Sequence, residues 1–222
     1  MNIEIKDIHK KYGSKSVLSG IDLVVESGKC IGILGGNGSG KSTLLSILAG
    51  VLPADKGSFL FDGNNLFNFP AEHSRLVGYV PQGMPLIEEL TAYDNLLLWY
   101  DKKTLKKELE EGLLKNLGIN EFLKTTVSKM SGGMKKRLSI GCAVSGRPPV
   151  LLLDEPMAAL DLICKQNISE YIKTHKAAGG IVLLATHDML ELTLCDEWYI
   201  IKNGQLDRFE YNGNIEELVK SL

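Results

Sequence analysis

The sequence predicts an α/β protein with a mostly parallel sheet covered by helices on both faces. Three observations carry that reading. Short unbroken apolar runs recur at residues 30–34, 76–80, 150–153 and 181–185, the pattern of strands buried on both sides. Segments of helical periodicity separate them, as crossover connections between parallel strands require. The first run leads through Gly35-Gly36-Asn37-Gly38-Ser39-Gly40 into Lys41-Ser42-Thr43 and an apolar helical segment, so a strand, a flexible turn and a helix follow one another.

Taken in order, residues 3–8 alternate apolar and polar side chains, as a half-buried strand does. A turn at Tyr12-Gly13-Ser14 separates them from a second strand over 17–25, and Ser27-Gly28 precedes the buried run at 30–34. After the helix that starts near Leu44, the turn-rich stretch 52–57 leads to a short edge strand at 58–63, closed by a glycine turn. Beyond Pro81-Gln82 the texture changes. Residues 90–98 and 105–117 read as helices, and Leu105, Leu109, Leu113 and Leu117 repeat every four residues between Lys and Glu, a stripe suited to a core seam. A helical subdomain inserted at about 83–145 is therefore expected within a single domain spanning 1–222. Asp161 can cap a helix that buries Cys164, Ile168, Tyr171 and Ile172. A short helix follows over 188–194, then a hairpin through Lys202-Asn203-Gly204, and a small helix over 214–222.

Composition narrows the function. A chain of 222 residues with 23% charged residues suits one substantial core. The net charge of −2 gives no reason to expect a nucleic-acid partner. No apolar run is long enough to span a bilayer, and no signal-peptide pattern opens the chain. Cys30, Cys142, Cys164 and Cys195 lie far apart without metal-ligand spacing, as buried reduced thiols of a cytosolic protein would.

The glycine-rich turn carries the chemistry. Its backbone N–H groups can point inward, and the following helix N-terminus favours an anion. Lys41 brings a point charge to the β- and γ-phosphates of a nucleoside triphosphate, and the Ser42 hydroxyl holds Mg²⁺. Asp154 ends its buried run, where a carboxylate can organise the same ion, and the adjacent Glu155 can polarise a water for attack on the γ-phosphate. Ser131-Gly132-Gly133 precedes the basic and apolar start Met134-Lys135-Lys136-Arg137-Leu138, a second helix N-terminus suited to anions. Two such loops, too far apart in the chain to form one cradle, suggest two copies sharing two nucleotides. An ordinary helix cap is the competing reading of Ser131-Gly132-Gly133.

The whole set resembles the ATP-binding cassette (ABC) family over nearly the entire chain. Residues 35–43 look like its Walker A motif, 150–155 its Walker B with catalytic glutamate, and Met130-Ser131-Gly132-Gly133-Met134 its signature. Gln82 matches the Q-loop, Ala159-Leu160-Asp161 the D-loop and His187 the H-loop. Tyr12 falls where the family stacks an aromatic on adenine. The resemblance implies a P-loop ABC-type core with an antiparallel β subdomain beside the parallel sheet and the inserted helices. It implies that Gln82 touches Mg²⁺ and senses the γ-phosphate, that His187 holds that phosphate and positions water, and that Ser131 and Gly133 bind the nucleotide of another copy. Gly36 stands where the family usually has Pro, Met134 replaces the usual Gln, Met130 the usual Leu, and Leu162 a common Pro; none removes a proposed catalytic group.

The implied function is the ATP-binding and ATP-hydrolysing subunit of a transporter, using ATP and Mg²⁺. It would dimerise with a second nucleotide-binding subunit and sit on the inner face of the cell membrane through separate permease subunits. Ser-Gly-Gly-Met-Lys-Lys-Arg-Leu and the compact length look more like exporter ATPases of the resistance type than importers. An importer ATPase and a non-transport ABC protein, for instance in iron–sulfur cluster assembly, are the alternatives. A plain P-loop kinase would leave Ser131-Gly132-Gly133 and His187 without a role.

Overall fold

The computed structural model describes residues 1–211; the helix expected over 214–222 lies outside the described residues. Two sheets hold the strands. β1 (Asn2–Tyr12), β2 (Lys15–Glu26), β4 (Lys56–Phe61) and β5 (Asn64–Asn65) form an antiparallel sheet in the order β2-β1-β4-β5. β3 (Cys30–Leu34), β6 (Val77–Val80), β7 (Val150–Asp154), β8 (Ile181–Ala185), β9 (Glu197–Lys202) and β10 (Gln205–Phe209) form the larger sheet in the order β10-β9-β3-β8-β7-β6. All its neighbours run parallel except β9 and β10, whose tight turn at Asn203 and Gly204 permits only an antiparallel hairpin.

The unbroken apolar runs have two cores to serve. Along β7, Leu151 and Leu153 face one core while Val150 and Leu152 face the other. The first core lies against α3 (Ala92–Leu97), α6 (Gly132–Ala143) and α7 (Leu162–Ala177), through Leu96, Leu138, Ile168 and Ile172. The second joins Ile31, Ile33 and Leu183 to the antiparallel sheet and to α1 (Lys41–Leu48), through Ile3, Ile5, Leu44 and Leu45. A strand flanked this way has no polar face to alternate with.

Two expectations are corrected. The strand at 58–63 is not an edge: β4 lies between β1 and the two-residue β5, a partner too short to leave a pattern. The leucine stripe does not ride one continuous helix. α4 (Lys102–Glu111) stops at Gly112, and α5 (Leu113–Asn116) restarts there because Glu108 Oε2 accepts the Leu113 N–H at 3.1 Å. A Cβ at Gly112 would lie 2.8 Å from the Glu108 Cα, so the break needs glycine. The stripe still packs into the first core, Leu105, Leu113 and Leu117 buried and Leu109 against them.

The helices between Val80 and Val150 form the expected insertion. Asp161 caps α7 by accepting the Cys164 N–H at 2.8 Å. α2 (Pro70–Leu76) and α8 (Met189–Leu192) are the remaining α-helices among the described residues. Among the described residues, no helix is long and apolar enough to cross a membrane.

Candidate active site

Because β3, β6, β7 and β8 run parallel, their carboxyl ends share one edge of the sheet, where α/β proteins of this topology bind ligands. Gly35, Gln82, Asp154 with Glu155, and His187 each lie at the end of one of those strands or within three residues beyond it. Residues spread over more than half the chain therefore converge.

The loop after β3 is built of glycines for specific reasons. Gly35 holds φ +149° and a Cβ there would meet Ser39 Oγ at 2.5 Å and the Ile201 carbonyl at 2.7 Å. Gly40 holds φ +114° with the Leu18 side chain 2.9 Å from a would-be Cβ, which presses the β1–β2 hairpin against the loop. At Gly36 a side chain would meet nothing within 4 Å, so the absence of Pro there changes no packing. α1 begins without a side-chain cap and without an acidic residue in its first turn. Its first N–H groups are thus left for an anion. Asn37 and Gly38 lie exposed at the tip, Ser42 is exposed and Thr43 half-buried.

Lys41 is buried and donates to the carbonyls of Gly35 at 2.7 Å and Gly36 at 3.2 Å. Burial lowers the pKa of its ammonium, while Glu155 and Asp154 pull it back up. Asp154 is buried at the end of β7; burial raises its pKa, and the nearby Ser42 hydroxyl opposes the rise. Its Oδ2 is buried without a hydrogen-bond partner, as is Ser39 Oγ. A buried carboxylate oxygen left unpaired is costly, and one placed beside a serine hydroxyl suits a divalent cation with oxygen ligands. The residues present therefore fit Mg²⁺ with a triphosphate: unsatisfied N–H donors at a helix start, a lysine, a hydroxyl and an orphaned carboxylate oxygen.

Glu155 stands in an unusual backbone conformation for a residue with a side chain, φ +49°. Its N–H donates to the Ala185 carbonyl at 2.9 Å, which ties the loop after β7 to the end of β8. Gln82 Nε2 donates to Glu155 Oε2 at 3.3 Å, and His187 Nε2 lies 3.8 Å from Glu155 Oε1. The carboxylate is thus bracketed by residues that come just after β6 and β8. Burial, and then the nearby Lys41 charge, lower the His187 pKa, so its ring is neutral at pH 7 and one nitrogen stays available as an acceptor.

The remaining sequence-predicted positions lie apart from this cluster. Ser131 caps α6, its Oγ accepting the Met134 N–H at 3.3 Å. Gly133 faces the Ala159 carbonyl, 3.5 Å from its would-be Cβ, and Gly132 faces open space. Asp161 is engaged in capping α7. Tyr12 is exposed at the end of β1, in the hairpin that presses on Gly40. Among the described residues, no hydrogen bond joins Ser131, Gly132 or Gly133 to the loop at 35–43.

Two buried charged residues near the cluster carry almost no signal in the sequence. Lys136, on α6, donates to the carbonyls of Pro81 at 3.2 Å and Asp154 at 3.3 Å. Glu191, on α8, accepts the Met157 N–H at 2.7 Å, and burial pushes its carboxyl up to about 7. Both look in sequence like ordinary polar residues of amphipathic helices. The one hint is an acid at 191 flanked by Leu190 and Leu192.

A family model described as ABC transporter matches residues 18–158. The chain is similar to the linearmycin resistance ATP-binding protein LnrL of Bacillus subtilis, 34% identical with 92% of this chain and 67% of that protein covered. It is similar to the spermidine/putrescine import ATP-binding protein PotA of Spiroplasma citri, 35% identical with 93% and 60% covered. It is also similar to the Nod factor export ATP-binding protein I of Sinorhizobium fredii, 37% identical with 91% and 61% covered. The chain thus spans roughly three fifths to two thirds of the length of these relatives. Among solved structures, an ATP binding subunit of an ABC transporter superposes with a TM-score of 0.89 at 27% identity, with 100% of this chain and 99% of that chain covered. A dimeric ATP-binding cassette in a post-hydrolysis state, bound to ADP and Pi, gives 0.81 at 26% identity, with 94% and 99% covered.

Proposed function

The chain belongs to the ABC transporter family as an ATP-binding subunit, and on that premise we propose that it hydrolyses Mg-ATP in a two-subunit sandwich and thereby drives separate permease subunits. The observation that carries the reading is the bracketed carboxylate: Glu155 lies between Gln82 and His187, next to Asp154 and within the field of Lys41.

Each residue has a task its surroundings explain. The first N–H groups of α1 and the Lys41 ammonium bind the phosphates, and Tyr12 stacks on the base. Ser42, Asp154 and Gln82 would hold Mg²⁺, which when bound neutralises charge on the phosphate oxygens. Glu155 orients a water and accepts its proton. His187, neutral through burial, hydrogen-bonds the terminal phosphate and keeps that water in line. Ser131, Gly132 and Gly133, exposed or half-buried on one chain, meet the nucleotide of the second subunit, with Asp161 at the same junction. The solved dimeric cassette with ADP and Pi supports this arrangement.

The subunit would work on the cytoplasmic face of the membrane, held there by the permease. Export is the proposed direction, supported by the signature Ser131-Gly132-Gly133-Met134-Lys135-Lys136-Arg137 and by the relative named for Nod factor export. The relative named for spermidine/putrescine import favours the opposite direction. Vesicles holding the co-purified permease decide between them: ATP outside should drive a substrate inward for an exporter and outward for an importer. Purification with a soluble iron–sulfur scaffold in place of a permease would overturn transport altogether.

Glu155→Gln tests the catalytic core. It should bind Mg-ATP, accumulate as a dimer on gel filtration, and release phosphate at least about a hundredfold more slowly. A variant that stays monomeric beside a wild type that hydrolyses ATP as a monomer removes the sandwich.

A further inference from the structure

Lys136 has no task in the site just described, yet its placement is unusual. Its side chain is buried, and its ammonium donates to two backbone carbonyls, Pro81 and Asp154. Among the described residues it forms no ion pair within 4.0 Å, although Asp154, Glu191 and Glu155 all raise the local negative potential around it. Burying a cation is costly, and an apolar side chain of the same volume commonly packs as well or better. A purely structural account of Lys136 is therefore weak.

Each of the two carbonyls belongs to the residue just before a group of the site. Pro81 precedes Gln82, and Asp154 precedes Glu155. Lys136 itself lies five residues beyond Ser131 on the helix that Ser131 caps. One ammonium thus joins three segments: the helix start proposed to meet the partner's nucleotide, the strand end carrying Gln82, and the strand end carrying Glu155. The tie matters most at Glu155, whose backbone sits at φ +49°. A residue in that region stays there only when its neighbours fix it. The bonds to the Asp154 carbonyl and from the Glu155 N–H to Ala185 fix both ends of the peptide unit that precedes the Glu155 α-carbon, and the Glu155 carbonyl accepts the Ala158 N–H at 3.3 Å on the far side.

We propose that Lys136 is a positioning residue: it couples the orientation of α6, and so of Ser131–Gly133, to the placement of Gln82 and Glu155 in the same chain. Movement of α6 on closure of a dimer is thereby transmitted to the hydrolytic groups of the other site. The catalytic part of this inference rests on the ATPase reading above; the tie itself does not.

The experiment separates the two. Lys136→Met keeps the length and volume and removes the donors; Lys136→Arg keeps a charged donor. In the nucleotide-free protein, hydrogen exchange at the Glu155 and Met157 amides, which are bonded to the Ala185 carbonyl and to Glu191, should speed up at least about tenfold in Lys136→Met and stay near wild type in Lys136→Arg, with α1 amides unchanged. In steady-state assays Lys136→Met should lower kcat for ATP about ten- to a hundredfold while KM changes less than about twofold, and Lys136→Arg should recover most of it. Thermal unfolding should show Lys136→Met no less stable than wild type. Unchanged exchange overturns the tie. Faster exchange with unchanged kcat, or a kcat loss matched by a loss of stability, overturns the positioning role. A wild type that releases no phosphate from ATP defeats the ATPase reading, and with it the catalytic part, while the exchange result still decides the tie.

Discussion

Two glycine-rich helix starts, Gly35 to Lys41 before α1 and Ser131 to Gly133 before α6, look alike in sequence and differ in build. The first is wrapped. Gly35 and Gly40 at its two ends are forced by neighbours as close as 2.5 Å, its lysine is buried, and an unpartnered Ser39 Oγ lies inside it. The second is open: Gly132 faces nothing within 4 Å, and Ser131 spends its hydroxyl capping its own helix. A wrapped loop with unsatisfied polar atoms is a pocket in its own right. An open one with its polar groups accessible is half of a contact, and needs another surface to become a site.

The largest expected effect comes from adding one methyl to each. Gly35→Ala forces a Cβ against Ser39 Oγ and the Ile201 carbonyl; fluorescent-nucleotide titration should show affinity weakened at least about a hundredfold, since the phosphate-binding amides are displaced. Gly132→Ala should leave nucleotide affinity of the monomer unchanged and stabilise α6 by up to about 1 kcal/mol, while turnover of the dimer falls. If both alanine variants lose monomer affinity alike, the distinction between the two helix starts fails.

Lys41→Ala comes next. Removal of its point charge should raise the nucleotide Kd about ten- to a hundredfold, as loss of a charged hydrogen bond of about 1.5–3 kcal/mol implies. Ser131→Ala should cost about 1 kcal/mol through the lost cap, a drop of about 2–4 °C in melting temperature, with monomer affinity intact. Calorimetry and nucleotide titration on the same samples separate the cap from any phosphate contact.

Glu191, outside both helix starts, gives a pH signature. Burial pushes the Glu191 carboxyl up to about 7 from an ordinary value of 4.5. The folded state then holds this proton more tightly than the unfolded chain, so the carboxyl costs nothing below pH 4.5. Its ionisation removes stability progressively as pH rises from 4.5 through about 7. Glu191→Gln keeps an acceptor for the Met157 N–H, so its melting temperature should gain on wild type by a few degrees at pH 8 relative to pH 5. A difference that stays constant with pH would show that the carboxyl is not strained by its burial.

Much of this architecture is legible in the sequence. Continuous apolar runs announce doubly covered strands, and Gly35 to Thr43, Asp154 and Glu155 stand out by type and spacing, whereas Gln82 and His187 are singled out only by the resemblance to the ABC family. Their convergence is not legible, because strand order depends on crossovers and leaves no local pattern. Lys136 is hidden for a related reason. A lysine in a helix reads as solvated, and only the tertiary arrangement reveals that its face of α6 looks inward at Pro81 and Asp154. The break at Gly112 escapes because a single glycine amid leucine periodicity costs a helix only about 1 kcal/mol, too little to predict an end.

The position of β3 in its sheet also bears on how the chain is made. Its sheet partners are β8 and β9, so Cys30 pairs with Val182 and Ile31 with Glu197. The antiparallel β1–β2 hairpin can form as soon as it leaves the ribosome, but β3 must wait for about 150 more residues to be synthesised. Throughout that interval, five apolar residues remain an open-edged strand available to other chains. The loop at 35–43, proposed to bind the phosphates and translated long before β8 and β9, is thus among the last stretches to acquire its shape. A nascent chain stalled before residue 181 would be prone to aggregation and unable to be rescued by nucleotide.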